Sequence, residues 1–205
     1  MQRRALLLSV GVGCMVCAAG SVWAQAPAVP AAPSNNSSTP TGNSIAPAEL
    51  AAEMPGSKLQ GQGRLTFMTM RVYEARLWTS TTPSTTPIGT DWATGPLALE
   101  LIYARGLSGA RIAERSLTEM QRQGDIDGTR SGRWLSAMKQ IFPDVKEGDR
   151  ITGVNLPGVG ARFYFNGKLV GDVRDTDFAR LFFGIWLSPR TSEPGLREAL
   201  LGKPA

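Results

Sequence analysis

The sequence predicts an α+β domain in which antiparallel strands carry a layer of helices. Three observations point there. Asn166-Gly167 sits between Ala161-Arg162-Phe163-Tyr164-Phe165 and Lys168-Leu169-Val170-Gly171. Asn-Gly is a strong hairpin signal, because a two-residue type I′ turn needs positive φ at both central positions. The run 150–156 just upstream alternates and ends at Pro157-Gly158, so three sequential antiparallel strands are expected. Asp175-Thr176-Asp177 then supplies an N-cap and an acidic first turn to a run in which Phe178, Leu181, Phe182 and Ile185 recur at i, i+3, i+4 and i+7. Phe183 and Trp186 make that helix apolar on its other side too, so it is expected to be buried on more than one face.

In chain order, Met1-Gln2-Arg3-Arg4 is a basic start followed by an apolar run over 5–20, with small-residue cleavage sites at Val22-Trp23-Ala24 and Ala24-Gln25-Ala26. This pattern reads as a secretory signal peptide over 1–24, short for a membrane span, which predicts a periplasmic or secreted protein with no stable membrane span after cleavage. Residues 25–47 are rich in Ala, Pro, Ser and Thr without periodicity and read as a disordered linker. The folded domain is expected over 48–205, opening with a short helix at 48–54.

Residues 58–79 read as strand, with Leu65, Phe67, Thr69 and Arg71 on one face and Thr66, Met68, Met70 and Val72 on the other. The segment from Tyr73 to Trp78 is either a second strand or a continuation after a bend. Gly61 and Gly63 mark a bulge or a close backbone approach. The stretch 79–95 is a polar loop around Trp92, and 97–103 is a strand with so little polar character that it belongs at the centre of a sheet. Helices are expected at 108–124, where Ala113, Leu117 and Met120 share a stripe, and at 131–142, where Trp134, Met138 and Ile141 do. A last helix runs over 192–201, with Pro194 in its first turn and Gly202 at its C′ position.

Composition excludes several chemistries. The 205 residues contain no histidine, and both cysteines, Cys14 and Cys17, fall in the signal peptide. Ser-His-Asp and Cys-His catalysis, histidine metal ligation, thiolate chemistry and disulfide staples are therefore absent from the mature chain, and no cofactor is called for. The net charge of +5 is scattered rather than clustered, which argues against a nucleic-acid surface. Gly61-Gln62-Gly63 is half of a dinucleotide fingerprint with no βαβ unit after it. Asp144, Glu147 and Asp149 lack the spacing of a calcium loop. Asp172, Asp175 and Asp177 are explained by a helix N-terminus.

The polar residues of interest are Arg64, Arg71, Tyr73, Tyr103 and Arg105, on or beside strands that also carry large apolar groups. The arginines either alternate outward to solvent or form a carboxylate anchor at the mouth of an apolar pocket, where a buried guanidinium needs a partner that fits its fork.

Several segments resemble one known family. Residues 59–67 followed by 71–78 resemble the opening strands of chalcone isomerase-like proteins. So do Leu99-Glu-Leu-Ile-Tyr103, the run 141–149, and 178–189 together with 196–202. The likeness covers nearly all of 58–202 and is similar to the exported bacterial branch rather than to the plant enzyme. It implies an open-faced β-sandwich, a large antiparallel sheet covered by a layer of helices. In the plant isomerase an arginine, two threonines, a tyrosine and an asparagine surround a flavonoid between sheet and helices. The resemblance puts Arg64 at the arginine, Met68 at the first threonine, and Ile112 and Glu119 at the tyrosine and asparagine; the second threonine has no counterpart. Tyr73 joins these as a hydroxyl near the cleft.

With those hydroxyls lost, the resemblance implies a non-catalytic protein holding a small apolar or carboxylate-bearing ligand, such as a fatty acid, against Arg64, for which Glu119 would be the partner in the empty protein. The alternatives are a scaffold with a filled core, its protein partner unspecified, and an intramolecular lyase or isomerase.

Overall fold

The computed structural model describes residues 45–80 and 92–202. The expected signal peptide, most of the expected linker and much of the 79–95 loop lie outside the described residues. The architecture is α+β. Six strands, β1 Lys58–Phe67, β2 Met70–Thr79, β3 Leu97–Tyr103, β4 Arg150–Leu156, β5 Gly160–Phe165 and β6 Lys168–Val173, form one antiparallel sheet in sequence order. Among the described residues, helix α1 Ala48–Glu53 precedes the sheet, and α2 Gly109–Gln121 and α3 Gly128–Ile141 join β3 to β4. Helices α4 Thr176–Leu187 and α5 Pro194–Leu200 close the chain.

The β5–β6 hairpin and α4 form as their sequences dictate. Asn166 and Gly167 both take positive φ, 48° and 82°. The Asp175 carboxylate caps α4 by accepting from the backbone N–H groups of Asp177 and Phe178, both at 3.1 Å. Phe178, Leu181, Phe182, Phe183 and Trp186 are all buried. Phe182 stacks on Phe178 at 5.5 Å and meets the edge of Phe163 of β5 at 5.1 Å, while Phe142 meets Phe163 at 5.1 Å. Those rings knit α4 and the end of α3 to the sheet and define the centre of the main core.

The sheet has two unlike faces. Helices α2–α5 cover one, burying Ala75, Leu77, Leu99, Leu101, Ile151 and Phe163 beneath them. The alternate residues face the other way, where α1 packs Leu50 and Met54 on Trp78, Ala98 and Val154. Gly61 and Gly63 belong to the helix-covered face. A Cβ at Gly61 would run into the Ala199 and Leu200 carbonyls, and one at Gly63 into the Leu196 side chain, so these two glycines are what lets α5 lie on β1. A register shift between Leu59 and Gly61 adds the expected bulge.

Three expectations need correction. Residues 58–79 are two strands joined by a two-residue turn at Met68 and Thr69, both at positive φ (47° and 68°), so the single alternation read across 65–72 fails there. The turn escaped notice because it carries neither glycine nor asparagine, the residues that normally accept that backbone. Helix α3 starts at Gly128, earlier than the apolar stripe suggested, because Asp127 caps it by accepting from the Arg130 N–H at 2.9 Å. Helix α5 starts at Pro194, not at 192.

Candidate functional site

On the helix-covered face, Tyr73 of β2 and Tyr103 of β3 are register partners, their rings edge-to-face with centroids 6.0 Å apart. Trp186, one turn past Phe182 on α4, donates its indole N–H to the Tyr73 Oη at 3.0 Å. Leu65, which pairs with Tyr73 across β1, and Ile112 of α2 are half-buried against the same core. Tyr103 is only 3% exposed, yet its hydroxyl has no hydrogen-bond partner among the described residues. Tyr73 accepts from Trp186 and donates to nothing described. Two phenolic O–H donors therefore have no protein acceptor among the described residues, although neither oxygen is among the fully enclosed unpartnered atoms.

Burial pushes both hydroxyls well above the usual tyrosine range. At Tyr73 the Trp186 hydrogen bond works against that rise, and at Tyr103 the neighbouring Tyr73 adds to it. Both stay protonated, and both remain donors.

Charge lies at the edge of this pair. The buried Glu119 carboxylate meets Arg115 through Oε1 at 2.6 Å and Arg122 through Oε2 at 3.1 Å. The Arg115 contact is close but is not aligned as a hydrogen bond, since Oε1 has none. Arg115 is largely exposed, and its charge, with those of Glu119 and Glu193, reaches the Tyr73 hydroxyl.

The sequence-derived set divides between the two faces. Tyr73, Ile112 and Glu119 lie on the helix-covered side. Arg64 does not. Gly61 and Gly63 face α5, so the next residue in the strand must face away. Arg64 pairs in register with Glu74, its Nε 3.6 Å from Oε2, and its side chain is 64% exposed. Glu119 is held by Arg115 and Arg122 instead of serving Arg64. Met68 sits in the β1–β2 turn, 76% exposed. Arg71 and Arg105 are exposed, one near the start of β2 and the other past the end of β3. Arg115 and Trp186 were missed as site residues. The signals available were an Arg–Glu pair at i, i+4 and an indole N–H inside an otherwise apolar helix.

The opposite face carries most of the ion pairs beside its small apolar cluster, although the Arg150 and Arg162 Nε donors are buried without a partner. Arg76 Nη2 lies 2.8 Å from Glu74, and the buried Glu100 receives the Trp78 indole N–H at 3.0 Å and Arg150 at 3.4 Å. Arg150 also donates to both Glu49 oxygens, at 2.9 and 3.0 Å, and the Thr152 hydroxyl adds a bond at 2.9 Å. A cavity of about 340 Å³ on this side is lined by Arg76, Glu100, Ile102, Gly148, Arg150 and Asn166. Glu53 takes the Arg162 guanidinium at 2.7 Å and the Tyr164 hydroxyl. Burial works to raise the Glu53 pKa, but the bonds from Tyr164 and Arg162 outweigh it and hold it below the usual range. Burial and the Glu53 bond push Tyr164 up to about 12.

A second cavity, of about 150 Å³, is lined by residues that include Asn155, Thr176 and Arg180. Neither cavity is lined by Arg64 or the two tyrosines. Arg64 has no hydroxyl partner among the described residues, and no group of three or more carboxylates there is arranged to hold a metal ion. No described helix is long and apolar enough to cross a membrane.

Comparison with known proteins adds three findings. A family model described as chalcone isomerase-like matches residues 43–202. An uncharacterized protein of Haemophilus influenzae is 32% identical over 108 residues, covering 53% of this chain and 52% of that protein. The match thus spans about half the length of that curated relative. The crystal structure of an Arabidopsis thaliana fatty-acid binding protein is similar with a TM-score of 0.57 and 15% identity, over 71% of this chain and 87% of that one. At that identity the likeness is one of fold.

Proposed function

The chain belongs to the chalcone isomerase-like family, and we propose that it is a non-catalytic binding protein for an amphipathic acid, such as a fatty acid, taken up between sheet and helices at Tyr73 and Tyr103. The observation that carries this reading is the pair of adjacent phenolic donors, Tyr103 buried and Tyr73 half-buried, without a protein acceptor among the described residues. A carboxylate there would accept from both, with Arg115 turning from Glu119 to balance its charge. The acyl part would lie against Leu65, Ile112 and Leu196. The fatty-acid binding fold neighbour supports the class of ligand.

The experiment is a calorimetric titration with a long-chain fatty acid. Tyr103→Phe is expected to weaken binding by about 1.5–3 kcal/mol, the range of one hydrogen bond to a charged group. Binding unchanged in this variant refutes the tyrosine site. Chalcone is expected to cyclise no faster with the protein than in buffer, since the positions that the family resemblance assigns to the isomerase hydroxyls and asparagine are Met68, Ile112 and Glu119.

A second reading, a scaffold with a filled core, is favoured by the ring cluster around Phe182, which packs the middle of the helix–sheet interface without leaving room for a guest. No binding by wild type supports it.

Export to the periplasm or medium completes the proposal, supported by the basic, then apolar, then small-residue pattern of 1–26. N-terminal sequencing is expected to start the mature chain near Gln25 or Pro27; retained Met1 in a cytoplasmic pool contradicts export.

A further inference from the structure

The β1–β2 turn carries a feature that the ligand site does not use. Phe67, Met68 and Met70 are 64%, 76% and 48% exposed, three large apolar side chains within four residues at one tip. The backbone holds them out at a cost, since Met68 and the β-branched Thr69 both sit at positive φ. The tip also stands clear of the sheet. Tyr73 is the last β2 residue paired with β3, whereas β1 and β2 continue to pair through Thr66 with Arg71 and Phe67 with Met70.

Its charge is one-sided. Exposed Arg71 and Arg105 flank the tip, and Arg105 Nη1 reaches the Met70 Sδ at 3.5 Å. Neither arginine has an acidic partner among the described residues, whereas the Arg residues of the adjoining open face are matched by Glu74, Glu100 and Glu49. The sequence runs 65–73 and 104–113, which meet here where the Ala104 N–H donates to the Val72 carbonyl, contain no Asp or Glu.

From this combination we propose that the β1–β2 tip is a peripheral docking finger for an anionic lipid bilayer. Phe67, Met68 and Met70 enter the headgroup–acyl boundary while Arg71 and Arg105 meet lipid phosphates. A few flexible apolar side chains suit a fluid surface that demands no shape match, and the cationic collar supplies the preference for anionic lipid. The tip is too small for a stable protein interface, which needs on the order of 1,000 Å². Nucleic acid would call for a basic stripe with stacking platforms, which a single protruding turn does not provide. The inference stands independently of the ligand reading, although a finger two residue pairs beyond Leu65 and Tyr73 would set that site close to the membrane.

The test is partition of the full chain onto vesicles of phosphatidylglycerol and phosphatidylcholine in equal parts, against vesicles of phosphatidylcholine alone. Wild type is expected to favour the anionic vesicles and to be released by salt. Phe67→Ser with Met68→Ser is expected to lower partition about tenfold or more, and Arg71→Gln or Arg105→Gln about fivefold each. Val159→Ser, an exposed apolar residue in the β4–β5 turn at the other end of the sheet, leaves partition unchanged. Peroxide oxidation of Met68 and Met70, read residue by residue by mass spectrometry, reports the tip directly even if another segment also meets lipid. Anionic vesicles are expected to protect both thioethers and neutral vesicles to leave them exposed. Equal oxidation with and without anionic vesicles overturns the proposal. So does tip-dependent self-association in sedimentation velocity without vesicles, which would make a second copy the occupant.

Discussion

The two faces of the sheet are stabilised by different physics. Under α2–α5 the contacts are mostly rings and aliphatic chains, centred on Phe163, Phe178 and Phe182, and the polar exceptions include Glu119, Ser116 and the tips of Tyr73, Tyr103 and Trp186. Under α1 a small apolar cluster around Leu50 and Trp78 is flanked by ion pairs, with Glu49 and Glu53 of one short helix gripping Arg150 and Arg162. Burial is non-directional and tolerates rearrangement, whereas a carboxylate with three bonds from two neighbours fixes position but leaves an exposed flank. The difference separates two phenolic hydroxyls with no protein acceptor among the described residues from a network of ion pairs in which the Arg150 and Arg162 Nε donors stay unpartnered.

Mutations should expose that difference. Phe182→Ala is expected to cost about 3–5 kcal/mol in denaturant unfolding, the range for a buried aromatic. A loss near 1 kcal/mol would mean the helix layer does not rest on that ring. Glu49→Ala strips Arg150 and Thr152 of their shared acceptor and is expected to cost about 2–3 kcal/mol, as for charge-assisted bonds at a partly buried site. Glu49→Gln, keeping the shape and losing the charge, should recover part of it.

The third expectation concerns pH. Glu53 has its pKa lowered on folding, so its contribution is full above the ordinary carboxylate value near ~4.3 and is lost as pH falls through the lower folded value. Asp175 has the same sign on the helix side: burial opposes ionisation there, but bonds from the Phe178 N–H, Trp134 and Arg133 win. Stability should therefore fall on acidification below that value, and Glu53→Gln should flatten the part of the fall owed to the α1 face. An unaltered pH profile in Glu53→Gln would remove Glu53 from the account. The smallest effect is expected of Arg64→Ala, about 0–1 kcal/mol, because its ion pair with Glu74 is exposed.

Much of this was legible in the chain. Asn166-Gly167, the Asp175 cap and the 178–186 apolar run specify a hairpin and a helix through local rules, and the family resemblance placed them in an antiparallel sheet under helices. Arg64 shows where reading stopped. Its neighbours Gly61 and Gly63 announced a close approach, but only the position of α5 decides which face they approach, and therefore that Arg64 faces away. The Met68-Thr69 turn was hidden for a different reason, since its residues are ones that the required backbone disfavours. Tyr103 was noticed as a polar residue on a buried strand. That its hydroxyl lacks a partner among the described residues is a fact of tertiary packing, which no local pattern encodes.

The central claim is that the ligand binds the helix-covered face and not the open one, and two arginines separate these cleanly. Calorimetric titration of a long-chain fatty acid into wild type, Arg115→Ala and Arg64→Ala is the direct measurement. Arg115→Ala is expected to weaken binding by about 1.5–3 kcal/mol, as for a hydrogen bond to a charged group. Arg64→Ala should leave the affinity at the wild-type value. The reverse pattern, with Arg64→Ala losing affinity and Arg115→Ala keeping it, would put the ligand on the open face and contradict the account.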